Sequence, residues 1–116
     1  MTHLYDDEDR SYLKAIQDNA SPEYAAYAKM NATVFGRKDG TISPLNRELI
    51  AVAVAISKQC AFCIQSHTKN AAALGASEAE IAEASMIAVA IGAGSAATHG
   101  AMAMKLFAQA SDALTA

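Results

Sequence analysis

The chain has 116 residues, a length that fits one domain with a single hydrophobic core. Its residues are 53% hydrophobic but only 6% aromatic, with no tryptophan, so the apolar content lies mainly in small side chains. The formal net charge of −3 and the lack of a basic stripe argue against a nucleic-acid partner. We expect one domain over residues 1–116, and apolar content this high in a short chain predicts a homo-oligomer.

The whole chain is predicted to be helical, because no segment shows the sustained apolar–polar alternation of a strand. An amphipathic helix is predicted over residues 7–19. Two Ser-Pro pairs, at positions 21–22 and 43–44, are helix start signals, since serine is a good N-cap and proline suits the first helical position. The helices they open are expected to end near Gly36 and Ser57.

The second of these helices is nearly continuously apolar after Leu49, which places it in the middle of the molecule. A break is predicted at residues 58–59. The next helix carries both cysteines and runs from about Cys60 to Leu74, with Gly75 as its terminating residue. Ser77-Glu-Ala-Glu80 then has the sequence of a capping box, which opens another helix.

The last third of the chain has no Asp, Glu, Lys or Arg from Ala84 to Met104, nearly the length of a bilayer span. Its centre, however, is broken by glycine, serine, threonine and histidine. We therefore expect two alanine-rich helices that meet at a Gly92–Gly94 turn, and no membrane partner. The predicted fold is all-α, a compact bundle of about six helices.

The two cysteines lie in the sequence Cys60-Ala-Phe-Cys63-Ile-Gln-Ser-His67. Thiols at this spacing on a helical turn can close a disulfide without large backbone movement, and His67 lies one turn beyond Cys63 on the same face. The unpaired N–H groups and the macrodipole at a helix N-terminus favour a thiolate. Proximity to the helix terminus favours Cys60 as the nucleophile, whereas the histidine spacing favours Cys63. The spacing leaves both possible, with a lean to Cys63.

Glu48 is a lone acid on the apolar helix that leads directly into the cysteine helix. A carboxylate there can turn back toward the thiols and orient His67, or can simply pair with a neighbouring cation. The cysteines themselves have two other interpretations, as buried small hydrophobes or as zinc ligands together with His67. No obvious fourth zinc ligand lies nearby. Three aromatic residues are expected to form core in preference to a pocket wall, namely Tyr24, Tyr27 and Phe35.

The first ten residues are acidic and lack the positive-then-apolar pattern of a secretory signal, which predicts a cytoplasmic protein. In that compartment a cysteine pair is more often catalytic, redox-sensing or metal-bound than a permanent structural bridge.

On these residues the chain resembles the carboxymuconolactone decarboxylase-like superfamily and, within it, the alkylhydroperoxidase D-like branch. The resemblance covers residues 45 to about 99 and is most specific in Arg47-Glu48 followed by Cys60-x-x-Cys63-x-x-x-His67. It implies an all-helical fold, assembly into trimers or hexamers, and thiol-dependent reduction of organic hydroperoxides or hydrogen peroxide. No cofactor or metal ion is expected.

The resemblance also implies a role for each site residue. Cys63 is the attacking thiolate and becomes a sulfenic acid, Cys60 resolves it to a disulfide, and Glu48 with His67 forms the proton relay. A dithiol or protein-thiol reductant then resets the pair. Phe62 stands where the best-characterised branch has a further histidine, and His99 is a candidate to compensate from another helix or subunit.

Two other functions remain open from sequence. One is a carboxymuconolactone decarboxylase-type enzyme, although members of that kind generally lack the cysteine pair. The other is a non-enzymatic, redox-responsive oligomer in which disulfide formation reshapes an interface.

Overall fold

The computed structural model of this protein describes residues 6–116, and within that range it contains five α-helices and no strand. The all-α prediction is confirmed. The helices are α1 (Asp7–Asn19), α2 (Ser21–Gly36), α3 (Pro44–Lys58), α4 (Ala61–Ala73) and α5 (Glu78–Thr115).

Side-chain oxygen atoms cap three of the helices, as expected for helices whose first N–H groups lack internal partners. The hydroxyl of Ser43 accepts from the backbone N–H of Asn46, and Ser77 forms the predicted capping box with Glu80. Asp6 caps α1 in the same way. The prediction that Ser21 caps α2 is wrong by one residue, because Ser21 is already helical.

The centre of the fold is α3, which packs against both α4 and α5, while α1 packs on α2. Its central position was predicted. The small buried core consists of one valine and four alanines, whose short side chains let the helix backbones approach closely: Val52, Ala55, Ala71, Ala84 and Ala88.

The predicted break at Gly92–Gly94 is wrong, since α5 continues through it as a single helix of 38 residues. In the described chain Gly75 alone among the glycines has a positive φ. A glycine inside a helix costs only about 1 kcal/mol relative to alanine, and the flanking alanines are strong helix formers. The structure therefore has five helices where about six were predicted.

The prediction of a compact bundle is also not confirmed. The radius of gyration is 19.9 Å and the longest dimension 60 Å, whereas a compact chain of this length has a radius of about 13 Å. Every residue from 89 to 116 is exposed, including several large apolar side chains: Val89, Ile91, Met102, Met104, Leu106, Phe107 and Leu114.

By length and composition, α5 is apolar enough to cross a membrane, and only 11% of its most apolar stretch is buried within the chain. Length and composition are weak evidence for a span, because the core helix of a soluble protein meets the same criteria.

Candidate active site

A tight turn joins α3 to α4 and sets the position of the first cysteine. Gln59 adopts the left-handed conformation, with φ of 55°, which costs a non-glycine residue about 1 kcal/mol. The turn is closed by hydrogen bonds from the N–H of Gln59 to the carbonyl of Ile56 and from the N–H of Cys60 to the carbonyl of Ala55. Cys60 thereby becomes the N-cap residue of α4, directly beside the end of α3.

Cys60 and Cys63 form a disulfide at this helix start. Their Sγ atoms are 2.06 Å apart and their Cα atoms 5.2 Å apart. The sulfur of Cys60 also accepts a hydrogen bond from the backbone N–H of Cys63, at 3.2 Å. The prediction that these two sulfurs are close enough to bond is confirmed. In general, unpaired backbone N–H groups at a helix N-terminus favour a thiolate over a thiol.

Glu48 and His67 form a buried pair between α3 and α4. Oε2 of Glu48 lies 2.6 Å from Nδ1 of His67, and Glu48 is 5% exposed. A carboxylate oxygen accepts a hydrogen bond from an N–H group, so this contact assigns the proton to Nδ1. Nε2 is then available to accept or donate a proton. The structure thus brings together the two residues predicted as a proton relay, while their catalytic roles stay predictions.

Asn70 and Phe35 complete the surroundings of this pair. Nδ2 of Asn70 lies 3.5 Å from Oε1 of Glu48, at the outer limit of a hydrogen bond. The ring of Phe35, from α2, lies 4.4 Å from the imidazole of His67, measured between centroids. Sequence reasoning missed Asn70, although its position one helical turn after His67 was a usable signal. No sequence signal linked Phe35 to His67.

Arg47 joins the end of α2 to α3 through hydrogen bonds, one of them to the residue before Phe35. Its guanidinium donates from Nη1 to the carbonyl of Val34, at 2.6 Å, and from Nε to the carbonyl of Ile42, at 3.0 Å. The Val34 carbonyl belongs to the last turn of α2, where carbonyls lack partners within the helix. Gly40 leaves the space that the guanidinium occupies.

A groove of about 870 Å³ opens onto these residues and is lined by Cys60, Cys63, His67 and Phe35, a volume in the usual range for small-molecule sites. Tyr24 and Tyr27 also line it, so the expectation that these aromatics belong to the core is wrong. The core is too small to hold them, because it is built from alanines and one valine. Phe62 contributes to the wall as well.

His99 does not line this groove. It is exposed on α5, where its Nδ1 lies 2.8 Å from the carbonyl oxygen of Ser95 in the same helix. Within residues 6–116 no group of three or more His, Cys, Asp or Glu side chains is arranged to hold a metal ion. The Cys60 and Cys63 sulfurs are bonded to each other.

Residues 22–106 match the sequence model of the carboxymuconolactone decarboxylase family. The chain is 38% identical over 79 residues to uncharacterized protein 4 in the cox locus of Paracoccus denitrificans, a match covering 68% of this chain and 69% of the relative. It is 35% identical over 79 residues to an uncharacterized protein of Cupriavidus necator, covering 68% and 66%.

Proposed function

Because the chain belongs to the carboxymuconolactone decarboxylase family, we propose that it is a thiol-dependent peroxidase whose cysteine pair cycles between dithiol and disulfide. The observation that carries this proposal is the Cys60–Cys63 disulfide in the wall of a groove that also contains His67. A permanent structural bridge needs neither access to a groove nor a histidine–carboxylate pair beside it.

In the proposed reaction the Cys63 thiolate attacks the distal oxygen of a hydroperoxide. The O–O bond breaks as the S–O bond forms, so that sulfur is oxidised by two electrons and the alkoxide leaves. Nε2 of His67, which takes the proton of the Cys63 thiol as the thiolate forms, returns that proton to the alkoxide to give the alcohol, while Glu48 holds Nδ1. The product on the protein is a Cys63 sulfenic acid.

The second step uses the neighbouring thiol. Cys60, whose Cα lies 5.2 Å from that of Cys63, attacks the sulfenic sulfur and forms the disulfide, releasing water. An external dithiol, or a protein thiol pair, then reduces the disulfide by exchange and is itself oxidised to a disulfide. We place this cycle in the cytoplasm, where such reductants are available.

We further propose that the working form is a homo-oligomer. The five core residues bury little apolar area, and the distal half of α5 exposes a row of large apolar side chains that a second copy would cover. Whether three or six copies assemble, their contacts would lie mainly along α5.

The experiment that tests the peroxidase proposal is steady-state hydroperoxide consumption with dithiothreitol as reductant. Cys63→Ser is expected to abolish turnover. Cys60→Ser is expected to react once and stop as the sulfenic or an over-oxidised acid. Unchanged hydroperoxide consumption in Cys63→Ser would defeat the proposal. Activity that does not depend on the cysteines is what a decarboxylase of the same family would show.

A redox-responsive oligomer is the second candidate, favoured by the exposed apolar half of α5. In that case reduction and oxidation change the subunit number, measured by light scattering, without sustained peroxide consumption. Sustained consumption at constant subunit number favours the enzyme.

A further inference from the structure

We infer that the cysteine groove selects an amphipathic anion, so that the preferred substrate is a hydroperoxide with an apolar chain and a carboxylate that pairs with Lys58. This inference rests on the proposed function and narrows its substrate class. Its basis is the pattern of charge along the wall that α3 contributes to the groove.

That wall is a continuous stripe at helical spacing. Ile50, Ala51 and Val54 line the groove between Arg47 and Lys58. Positions 47 and 58 are eleven residues apart, which is three helical turns and about 16 Å along the axis. An apolar strip with a cation at each end therefore runs along one side of the groove, with the cysteines near the Lys58 end.

The two cations differ in how many of their hydrogen-bond donors are already used within the protein. Arg47 already donates to two backbone carbonyls, of Val34 and Ile42. Lys58 is exposed at the end of α3, two residues before Cys60, and forms no ion pair within residues 6–116. Its ammonium group is therefore the available partner for an anion, while Arg47 adds positive potential.

Among residues 6–116, no acidic side chain lines the cysteine groove, and the carboxylate of Glu48 is buried behind His67. By contrast, a second groove of about 550 Å³ between α3 and α5 is lined by Glu80 and Glu83 as well as Lys58. The chain as a whole has a net charge of −3, whereas the side chains that line this groove carry positive charge. Such a groove attracts anions in preference to neutral or cationic ligands.

Apolar side chains make up most of the remaining wall, including Phe35 and Phe62 beside the disulfide. They favour a hydrocarbon chain over a small polar peroxide, because burying apolar area is worth about 25 cal/mol per Å². The groove thus combines an apolar channel, one available cation and the reactive sulfurs, and a carboxylate-bearing alkyl hydroperoxide matches all three. The reaction itself is unchanged, with S–O formation, O–O cleavage and a dithiol as the final electron donor.

The test separates binding from turnover. Binding of decanoate and of the neutral decan-1-ol is measured by calorimetry at low salt, for the natural protein, Lys58→Glu and the matched control Lys105→Glu on the distal part of α5. Since an exposed ion pair contributes modestly, decanoate is expected to bind about three- to fivefold more tightly than the alcohol. The preference should disappear in Lys58→Glu, persist in Lys105→Glu, and shrink in 0.5 M NaCl, because salt screens exposed charges.

Turnover is then compared between the hydroperoxides of linoleic acid and of methyl linoleate, where the free acid should have the higher kcat/KM in the natural protein. Equal binding of decanoate and decan-1-ol, or a preference that survives Lys58→Glu, would overturn the inference. Consumption of both hydroperoxides at equal kcat/KM would overturn the inferred anion preference while supporting the proposed peroxidase function. Selective decanoate binding with no hydroperoxide turnover would instead overturn the peroxidase and support the anion preference of the groove.

Discussion

Oε2 of Glu48 lies 2.6 Å from Nδ1 of His67, although the two residues are 19 positions apart in the chain. Glu48 is the only buried charged residue within residues 6–116. A buried carboxylate is costly unless it is paired, and here it is paired with a histidine that faces the cysteine groove. This arrangement fixes the orientation of the imidazole at the groove and leaves Nε2 to exchange protons.

Glu48→Gln keeps the shape of the side chain but removes its charge. We expect the rate of hydroperoxide reduction to fall about 100-fold, because a neutral amide is a weaker hydrogen-bond partner for Nδ1 of His67 and no longer fixes Nε2 for proton transfer. The measurement is the rate of oxidation of pre-reduced protein by hydroperoxide in stopped flow. Glu83→Gln, an exposed change on α5, is the matched control and should retain the natural rate. A Glu48→Gln rate within twofold of natural would remove Glu48 from the mechanism.

Phe35→Ala removes the ring that lies 4.4 Å from the imidazole of His67. The freed imidazole can leave its reactive orientation, so we expect about a tenfold loss in the same oxidation rate. Phe35→Leu, which keeps an apolar wall, should lose less. Tyr12→Ala on exposed α1 is the control, and an equal loss in that variant would indicate a general effect of truncating an aromatic residue.

Gly40→Ala tests the hydrogen bonds by which Arg47 joins α2 to α3. A β-carbon at this position would overlap Nη2 of Arg47 and press on its side chain. We expect the guanidinium to leave the carbonyls of Val34 and Ile42, which lowers the free energy of unfolding by about 1–3 kcal/mol. Urea denaturation measures this change. Gly36→Ala, where a β-carbon meets no atom within 4 Å, provides the comparison. Equal stability of the Gly40→Ala and natural proteins would show that the Arg47 hydrogen bonds to Val34 and Ile42 do not contribute to stability.

Gly92→Ala tests whether α5 is continuous. Within a helix, where the new β-carbon meets nothing within 4 Å, alanine should raise the free energy of unfolding by about 0.5–1 kcal/mol. Gly75→Ala should do the reverse, because Gly75 has a φ of 89° that alanine adopts at a cost of about 1 kcal/mol or more. Destabilisation by Gly92→Ala would favour the turn that the sequence alone predicted.

Local signals in the sequence predicted most of the helix ends correctly. Ser43 and Ser77 cap their helices as expected, and Gly75 terminates α4 with bonds from the N–H of Ala76 to the carbonyl of Ala71 and from its own N–H to that of Ala72. These features depend on residues within one turn of each other, so their chemistry can be recognised without tertiary information.

The errors arose where the outcome depends on distant contacts. Gly92 and Gly94 permit a turn but do not require one, and their helical neighbours decided the outcome. The sequence predicted a compact bundle, whereas the structure leaves the large apolar side chains of the distal half of α5 exposed. The contacts of Phe35 with His67 and of Arg47 with Val34 join residues far apart in sequence, so no local pattern identified them.

The most direct test of the peroxidase account is intact-mass spectrometry of fully reduced protein before and after one equivalent of hydroperoxide. If the cysteine pair reduces hydroperoxides, the protein should lose the mass of two hydrogens. Cys60 and Cys63 should both be protected from alkylation, and one equivalent of alcohol should be released. An unchanged mass with both thiols still open to alkylation would contradict it.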